Sequence, residues 1–309
     1  MSSQPKQLIK FDWAMKRLLR SKANFGILEG FLSELLGRDI KILEVIDSES
    51  NKEDERAKFN RVDILAKLSD GEIVLIEVQS NTESDYFCRM IFGTSKIITE
   101  HLKEGDPYIN IKKVYSVNIL YFDLGHGTDY IYHGTTSFTG IHTKDQLSLT
   151  EKQKSVYKKD LVHQIYPEYY LIKVNQFNDI AKNTLDEWIY FLKNETIQDG
   201  FHAKGILEAK EKLDSLKLSD TEKQEYKRYV EDLSFQKSML VSNYRDGEID
   251  GMRKGEIKGK IEGIAEGIEK GEKAKAIDVA KKLKSLGVAT EIIQQSTGLS
   301  EDEIEKARY

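Results

Sequence analysis

The chain has 309 residues, 39% of them hydrophobic and 32% charged, which allows a sizeable core and more than one domain. No apolar run reaches the roughly 18 residues of a membrane span, no signal peptide is evident, and a lone cysteine, Cys88, excludes an internal disulfide and fits a reducing cytoplasm. The net charge of −5 offers no long-range attraction to DNA, so a nucleic-acid partner would require a local basic patch.

The first half of the chain alternates helical and strand patterns. Apolar residues at helical spacing predict a helix over residues 10–37, ended by Gly37. A strand pattern follows at 40–46. Two alternating segments, 61–68 and 72–79, are then separated by Ser-Asp-Gly, which predicts a β-hairpin.

A second helix is predicted from Thr82 to Leu102, where Thr82 and Asp85 could form a capping box. A β-rich run at 114–122 follows, then short strand-like pieces, and from Thr184 onward the sequence is helical almost to its end. The predicted order is α-β-β-β-α-β, followed by further elements and an all-helical C-terminal region.

The hairpin carries the strongest chemical signal. If residues 69–71 form the loop, Asp63 lies directly opposite Glu77, and Gln79 projects on the same face about 7 Å further along the strand. A loop one residue shorter would shift the register and separate the pair. The arrangement therefore depends on a three-residue loop.

Two like charges facing each other on a sheet are destabilising. A divalent cation such as Mg²⁺, bound through Asp63 and Glu77 with waters and a substrate phosphate, would neutralise them. The bland alternative is that both are solvent-facing strand residues. Ile73 and Leu75 share their face with Glu77, however, which indicates a sheet buried on both sides with a polar pocket at one end. The six histidines are scattered, and a zinc site is not expected.

Three segments resemble the Rpn family of recombination-promoting nucleases, transposase-type members of the PD-(D/E)XK superfamily. They are FDWAMKRLL (11–19), RVDILAKLSDGEIVLIEVQ (61–79) and DYFCRMIFGTSKI (85–97). The resemblance spans roughly residues 8 to 240. It implies an α/β fold with a restriction-endonuclease-like αβββαβ core, a mixed sheet flanked by helices, and metal-dependent cleavage of double-stranded DNA.

The resemblance also assigns roles to residues. Asp63 and Glu77 match the two catalytic acids, and Gln79 stands where the wider superfamily has lysine. Glutamine offers hydrogen bonds but no positive charge, so a second metal ion or a nearby base would have to contribute more. Asp12 and Lys16, four apart on the first helix, match a family motif and could support the site; their alternative is a surface ion pair.

Further candidates lie on the helix that follows the catalytic strand. Tyr86 is a candidate for stacking on a base, and Arg89 for contacting a phosphate of DNA. The alternative for both is an exposed helical position. Glu44 on the first strand is a weaker candidate for a further acid.

We predict four segments along the chain, and features of the two C-terminal segments favour self-association. Glycine recurs at every fourth position from 247 to 271; in a helix this costs about 1 kcal/mol per residue, which close contact with a partner helix would offset, whereas a flexible linker is the alternative. The acidic tail does not suit a major groove. We therefore expect a homo-oligomer formed through the C-terminal helices. The parts are a nuclease-like domain (8–180), a helical extension (184–240), the glycine-repeat helix or linker (241–275) and a helical tail (276–309).

The sequence favours a metal-dependent DNA endonuclease of low sequence specificity, acting in recombination, transposition or defence in the cytoplasm. A catalytically silent DNA-binding or protein-interaction module with the same fold is the alternative. A purely structural oligomer is a third possibility.

Overall fold

The computed structural model describes residues 8–46 and 63–307. They fall into two compact units, Met1–Tyr229 and Val230–Tyr309. The first unit is built on a six-stranded mixed sheet with the strand order β1-β2-β3-β4-β6-β5. The strands are β1 (Ile42–Ile46), β2 (Ile64–Leu68), β3 (Ile73–Gln79), β4 (Val114–Leu120), β5 (Ile131–Gly134) and β6 (Glu168–Lys173).

Nine α-helices occur in the described residues. They are α1 (Phe11–Arg17), α2 (Phe25–Leu36), α3 (Tyr86–Glu100), α4 (Glu151–Tyr157), α5 (Thr184–Asn194), α6 (Ile206–Lys212), α7 (Asp220–Ser285), α8 (Thr290–Thr297) and α9 (Glu301–Lys306). The α-β-β-β-α-β order is therefore confirmed as far as β4. None of these helices is both long and apolar enough to cross a membrane.

The hairpin between β2 and β3 has the register that the three-residue loop predicts. Lys67 pairs with Ile73 and Ile64 with Ile76, and Leu68 N donates to Glu72 O at 2.8 Å. Gly71 in the loop has φ +85°, which glycine adopts without steric cost. Loop length and alternation thus fix which side chains face each other.

Strand β3 is buried on both faces, as the sequence indicated. On one face its side chains Val74, Ile76 and Val78 belong to the main core, which also contains residues of α1, α2, α5 and α6. On the other face Ile73 and Leu75 form a smaller core with residues from β2, β4 and α3. Strands β3, β4 and β6 run parallel, and double burial is typical of parallel strands.

Two predicted helices differ from the observed ones. The stretch 10–37 is not one helix, because α1 and α2 are separated at residues 18–24, where Asn24 Nδ2 donates to Leu18 O at 2.8 Å. Helix α3 begins at Tyr86 rather than Thr82, and its N-cap residue Asp85 makes no side-chain cap. The predicted capping box is therefore wrong. Gly37 does end α2, in the left-handed conformation.

Helix α2 packs closely against the turn that precedes α6. A Cβ atom built on Gly30 would lie 2.2 Å from Lys204 O and 2.7 Å from Gly205 Cα. The same carbonyl accepts a hydrogen bond from Trp188 Nε1 at 3.2 Å. Only a residue without a side chain fits between these backbones.

The second unit contains the remainder of α7 together with α8 and α9. A small core of Ala280, Ile293, Leu299 and Ile304 holds the end of α7 against the two short helices. The repeated glycines, 247 to 271, lie within α7, and their Cβ positions have no neighbouring atom within 4 Å. The segment is therefore helical, and its glycine positions are open.

Candidate active site

The hairpin brings Asp63 and Glu77 together at the end of β3. Asp63 lies immediately before β2, and its Oδ2 accepts a hydrogen bond from Val78 N at 2.7 Å. Arg20 Nη2 donates to the backbone oxygen of Asp63 at 2.9 Å. Glu77 is only 7% exposed. The register of the hairpin, continued by one pair beyond Ile64, places Asp63 opposite Glu77.

Glu77 is an acid in a partly desolvated and negatively charged environment. Its Oε2 lies 3.3 Å from the Tyr86 hydroxyl and 3.6 Å from Arg89 Nε. Burial raises the pKa of Glu77, and the charge of Asp63 acts in the same direction; Arg89 and the Tyr86 hydroxyl oppose both. Burial and the neighbouring acid destabilise the unpaired negative charge of Glu77, so a cation that neutralises this charge stabilises the site.

Gln79 is oriented by a residue that the sequence reasoning missed. Its Nε2 donates to Glu83 Oε1 at 2.6 Å, and Arg89 Nη1 donates to both oxygens of Glu83 at 2.8 and 3.1 Å. Glu83 therefore links the strand residue Gln79 to the helix residue Arg89. No periodic pattern in the sequence marks Glu83, because it lies in the irregular connection between β3 and α3.

Tyr86 and Asn118 form the buried floor beside Glu77. The Tyr86 hydroxyl donates to Asn118 Oδ1 at 3.0 Å, and Asn118 Nδ2 donates to Ser116 Oγ at 3.0 Å and to Tyr170 O at 3.2 Å. Asn118 pairs with Glu77 across β3 and β4. Burial first, and then the charge of Glu77, raise the pKa of Tyr86 well above its ordinary value.

The placement of Tyr86 does not fit a stacking contact with DNA. Its ring is fully buried and packs edge-on against Phe122, so a base has no access to it. Its hydroxyl instead supports Glu77. The sequence analysis did not identify Asn118 as a site residue, although the pattern of β4 points to it. Ser116 and Asn118 are polar residues at alternate positions of an otherwise apolar strand, so both lie on one face of the sheet.

Asp12 is placed on α1, where its Oδ2 accepts a hydrogen bond from the Tyr229 hydroxyl at 2.6 Å. It is 8% exposed, and a surface ion pair is therefore not its setting. The side chain of Lys16 lies outside the described part of the chain, so the supporting role of both residues stays a prediction. Glu44 is on β1 with its side chain 53% exposed, 3.5 Å from Lys67 Nζ.

The donor set fits a hard divalent cation. Asp63 and Glu77 supply carboxylate oxygens, and among the described residues the contacts of Glu77 use Oε2. No group of three or more His, Cys, Asp or Glu side chains within residues 8–46 and 63–307 could hold a metal ion. Mg²⁺ needs no such cage, because it commonly binds one or two carboxylates and keeps several waters. Asp63 and Glu77 are the residues that would hold it.

The family model of the PD-(D/E)XK nuclease family transposases matches residues 9–241. The chain belongs to this family. The resemblance predicted over residues 8 to 240 is thereby confirmed, as is the α/β fold. No curated protein and no solved structure matches the chain. In this PD-(D/E)XK family member, the matched range includes the whole sheet and every residue of the cluster around Glu77.

Proposed function

We propose that the chain is a metal-dependent endonuclease that hydrolyses phosphodiester bonds in double-stranded DNA. The observation that carries the proposal is the position of Asp63 against Glu77, at the end of a buried strand, in a chain of the PD-(D/E)XK nuclease family. Isolated acids on strands are common, whereas two acids that face each other beside an arginine form a site that can bind a cation and a phosphate.

Each residue has a distinct part in this proposal. Asp63 and Glu77 hold the cation, which activates a water and stabilises negative charge on the phosphate. Gln79 donates through Nε2 to Glu83, and no described residue donates to its Oε1, which can accept a hydrogen bond from the attacking water. Arg89, whose side chain is 28% exposed, can contact a phosphate of DNA. Glu83 joins Arg89 to Gln79, so the charge of Arg89 lies close to the residue that stands where the wider superfamily has lysine.

The biological setting follows the family. We propose cleavage of low sequence specificity in recombination, transposition or defence, in the cytoplasm. The C-terminal helices form a homo-oligomer in this proposal, because the glycine positions of α7 are open to close approach by another helix. Sedimentation of the full chain and of a chain that ends at Ser242 tests the assembly. The full chain should sediment as an oligomer and the shortened chain as a monomer. A shortened chain that still sediments as an oligomer contradicts this part of the proposal.

A catalytically silent module is the alternative, and two features favour it. The site offers glutamine in place of lysine, and the net charge of −5 disfavours DNA as a partner. Such a module binds DNA or protein without requiring a metal. The two proposals therefore differ in whether a divalent cation matters at all.

Nicking of supercoiled plasmid distinguishes them. We expect wild type to nick with Mg²⁺ and not with EDTA, and Asp63→Ala and Glu77→Ala each to lose activity by at least about a hundredfold. Glu44→Ala is the matched control, since Glu44 is an exposed acid on the same sheet, and it should retain full activity. DNA binding by wild type without nicking, unchanged by EDTA, supports the silent module instead.

A further inference from the structure

Arg89 holds an unusual position between two glutamates. Its Nη1 makes a bifurcated hydrogen bond with both oxygens of Glu83, whereas its Nε faces Glu77 Oε2 at 3.6 Å. This Nε is buried and has no hydrogen-bond partner among the described residues. The guanidinium is therefore hydrogen-bonded to Glu83 through Nη1, whereas its Nε is held near Glu77 by charge alone.

A buried donor without a partner is costly, and such groups require an explanation. The explanation here is electrostatic. Glu77 and Asp63 place two negative charges in a desolvated corner, and among the described residues Arg89 is the cation that pairs with Glu77. Arg89 thus does at Glu77 part of what a divalent cation would do there.

We propose that Arg89 is a resident counter-ion of Glu77 that competes with the divalent cation, and that Glu83 retains Arg89 when the cation binds. In the metal-free protein Arg89 partly offsets the charge of Glu77, which reduces the repulsion between Glu77 and Asp63 without removing it. When the cation occupies the two carboxylates, the weak Nε contact is lost and the bifurcated contact with Glu83 remains. The guanidinium is then anchored beside the cation, with its charge available to a phosphate. This last step rests on the proposed nuclease function.

If Arg89 competes with the cation, loss of its charge raises the metal affinity, whereas loss of a structural residue would lower it. A charge within about 4–6 Å changes the affinity of a carboxylate for a proton by roughly ten- to a thousandfold, and a competing cation experiences the same field. Removing the charge of Arg89 should therefore tighten metal binding. Removing the charge of Glu83 should weaken it, because Arg89 then has Glu77 as its remaining acidic partner in the cluster. A purely structural role predicts weaker binding for both changes.

The test is Mn²⁺ binding to the full chain without DNA, measured from the electron paramagnetic resonance signal of the free ion. Relative to wild type, we expect Arg89→Gln to bind Mn²⁺ about tenfold more tightly and Glu83→Gln about tenfold more weakly. Arg89→Lys retains the charge and should stay near wild type. Lys96→Gln is the matched control on α3, because Lys96 pairs with Glu100 away from the cluster, and it should change nothing.

The outcomes separate this inference from the proposed function. If wild type binds Mn²⁺ and Arg89→Gln binds it equally or more weakly, Arg89 is not a competing counter-ion, although the metal site stands. If wild type binds no Mn²⁺, the proposed metal-dependent function fails, and this inference fails with it. Loss of plasmid nicking by Arg89→Gln despite tighter metal binding is the further result that we expect.

Discussion

Replacing Gly30 by alanine tests the packing that supports the main core. The new Cβ would lie 2.2 Å from Lys204 O and 2.7 Å from Gly205 Cα, and both neighbours are backbone atoms that no rotamer change can move away. Helix α2 must therefore shift or tilt. The displaced carbonyl would also strain the hydrogen bond that it accepts from Trp188 Nε1.

The expected magnitude follows from two opposing effects. Overpacking of a tight contact costs about 1–3 kcal/mol, and a contact between backbones belongs at the upper end of that range. Alanine in a helix regains about 1 kcal/mol relative to glycine. The free energy of unfolding should therefore fall by about 2 kcal/mol, and the melting temperature by about 4–8 °C for a unit of this size.

Tryptophan fluorescence is a suitable assay, because both tryptophans of the chain, Trp13 and Trp188, are buried in the first unit. Gly93→Ala is the matched control. Its Cβ would lie 3.7 Å from Leu75 Cδ2, an ordinary contact, and the melting temperature should rise by about 2–4 °C. The reasoning is refuted if Gly30→Ala melts at or above the wild-type temperature, or if both variants are destabilised alike.

Three further predictions concern buried polar groups. Lys113→Met should lower the free energy of unfolding, measured by urea denaturation, by about 3–5 kcal/mol. Lys113 Nζ donates to Glu168 Oε1 at 2.8 Å and the lysine side chain is only 4% exposed, so the substitution leaves a buried carboxylate without its cation. A change below about 1 kcal/mol contradicts this. Burial acts to raise the pKa of Glu168, but hydrogen bonds from Lys113 and His133 outweigh it and hold this pKa below its ordinary 4.5. The ionised Glu168 therefore stabilises the fold above pH 4.5, and this stabilisation is lost as the pH falls further. The stability difference between wild type and Glu168→Gln in urea should therefore shrink below that pH, and a constant difference contradicts the prediction. Tyr86→Phe keeps the buried ring but removes the hydroxyl beside Glu77, so plasmid nicking should fall about tenfold while stability changes by no more than about 1.5 kcal/mol; undiminished nicking shows that the hydroxyl has no part in the site.

The β2–β3 hairpin was predictable because its rules are local. Alternation assigns Ile76 and Glu77 to opposite faces, and a three-residue loop ending in Gly71 fixes the register. The two acids could therefore be paired from the sequence alone. The pattern of the two acids did not identify a nuclease, since a pair of acids on a sheet has many uses. That identification came from the resemblance of three segments to a nuclease family, and the family match over residues 9–241 confirms the family.

The arrangement of the side chains around the two acids was harder to predict from the sequence, because it depends on how elements distant in the sequence pack together. The start of α3 was misplaced: the pattern allowed a start at Thr82, whereas Glu83 stays in the connection before the helix and contacts Gln79. Arg89 and Tyr86 were identified as candidates, but their direction could not be predicted. Only the packing of α3 on the sheet turns both toward Glu77.

The claim that Asp63 and Glu77 hold one cation between them is tested most directly by metal-directed cleavage of the protein backbone. Fe²⁺ replaces Mg²⁺ in the full chain, and ascorbate with peroxide generates radicals that cut the chain near the bound ion. Mass spectrometry should find cuts adjacent to both Asp63 and Glu77, suppressed by excess Mg²⁺ and absent from the Asp63→Asn variant. Cuts elsewhere in the chain, or cuts at these positions that persist in that variant, contradict the claim.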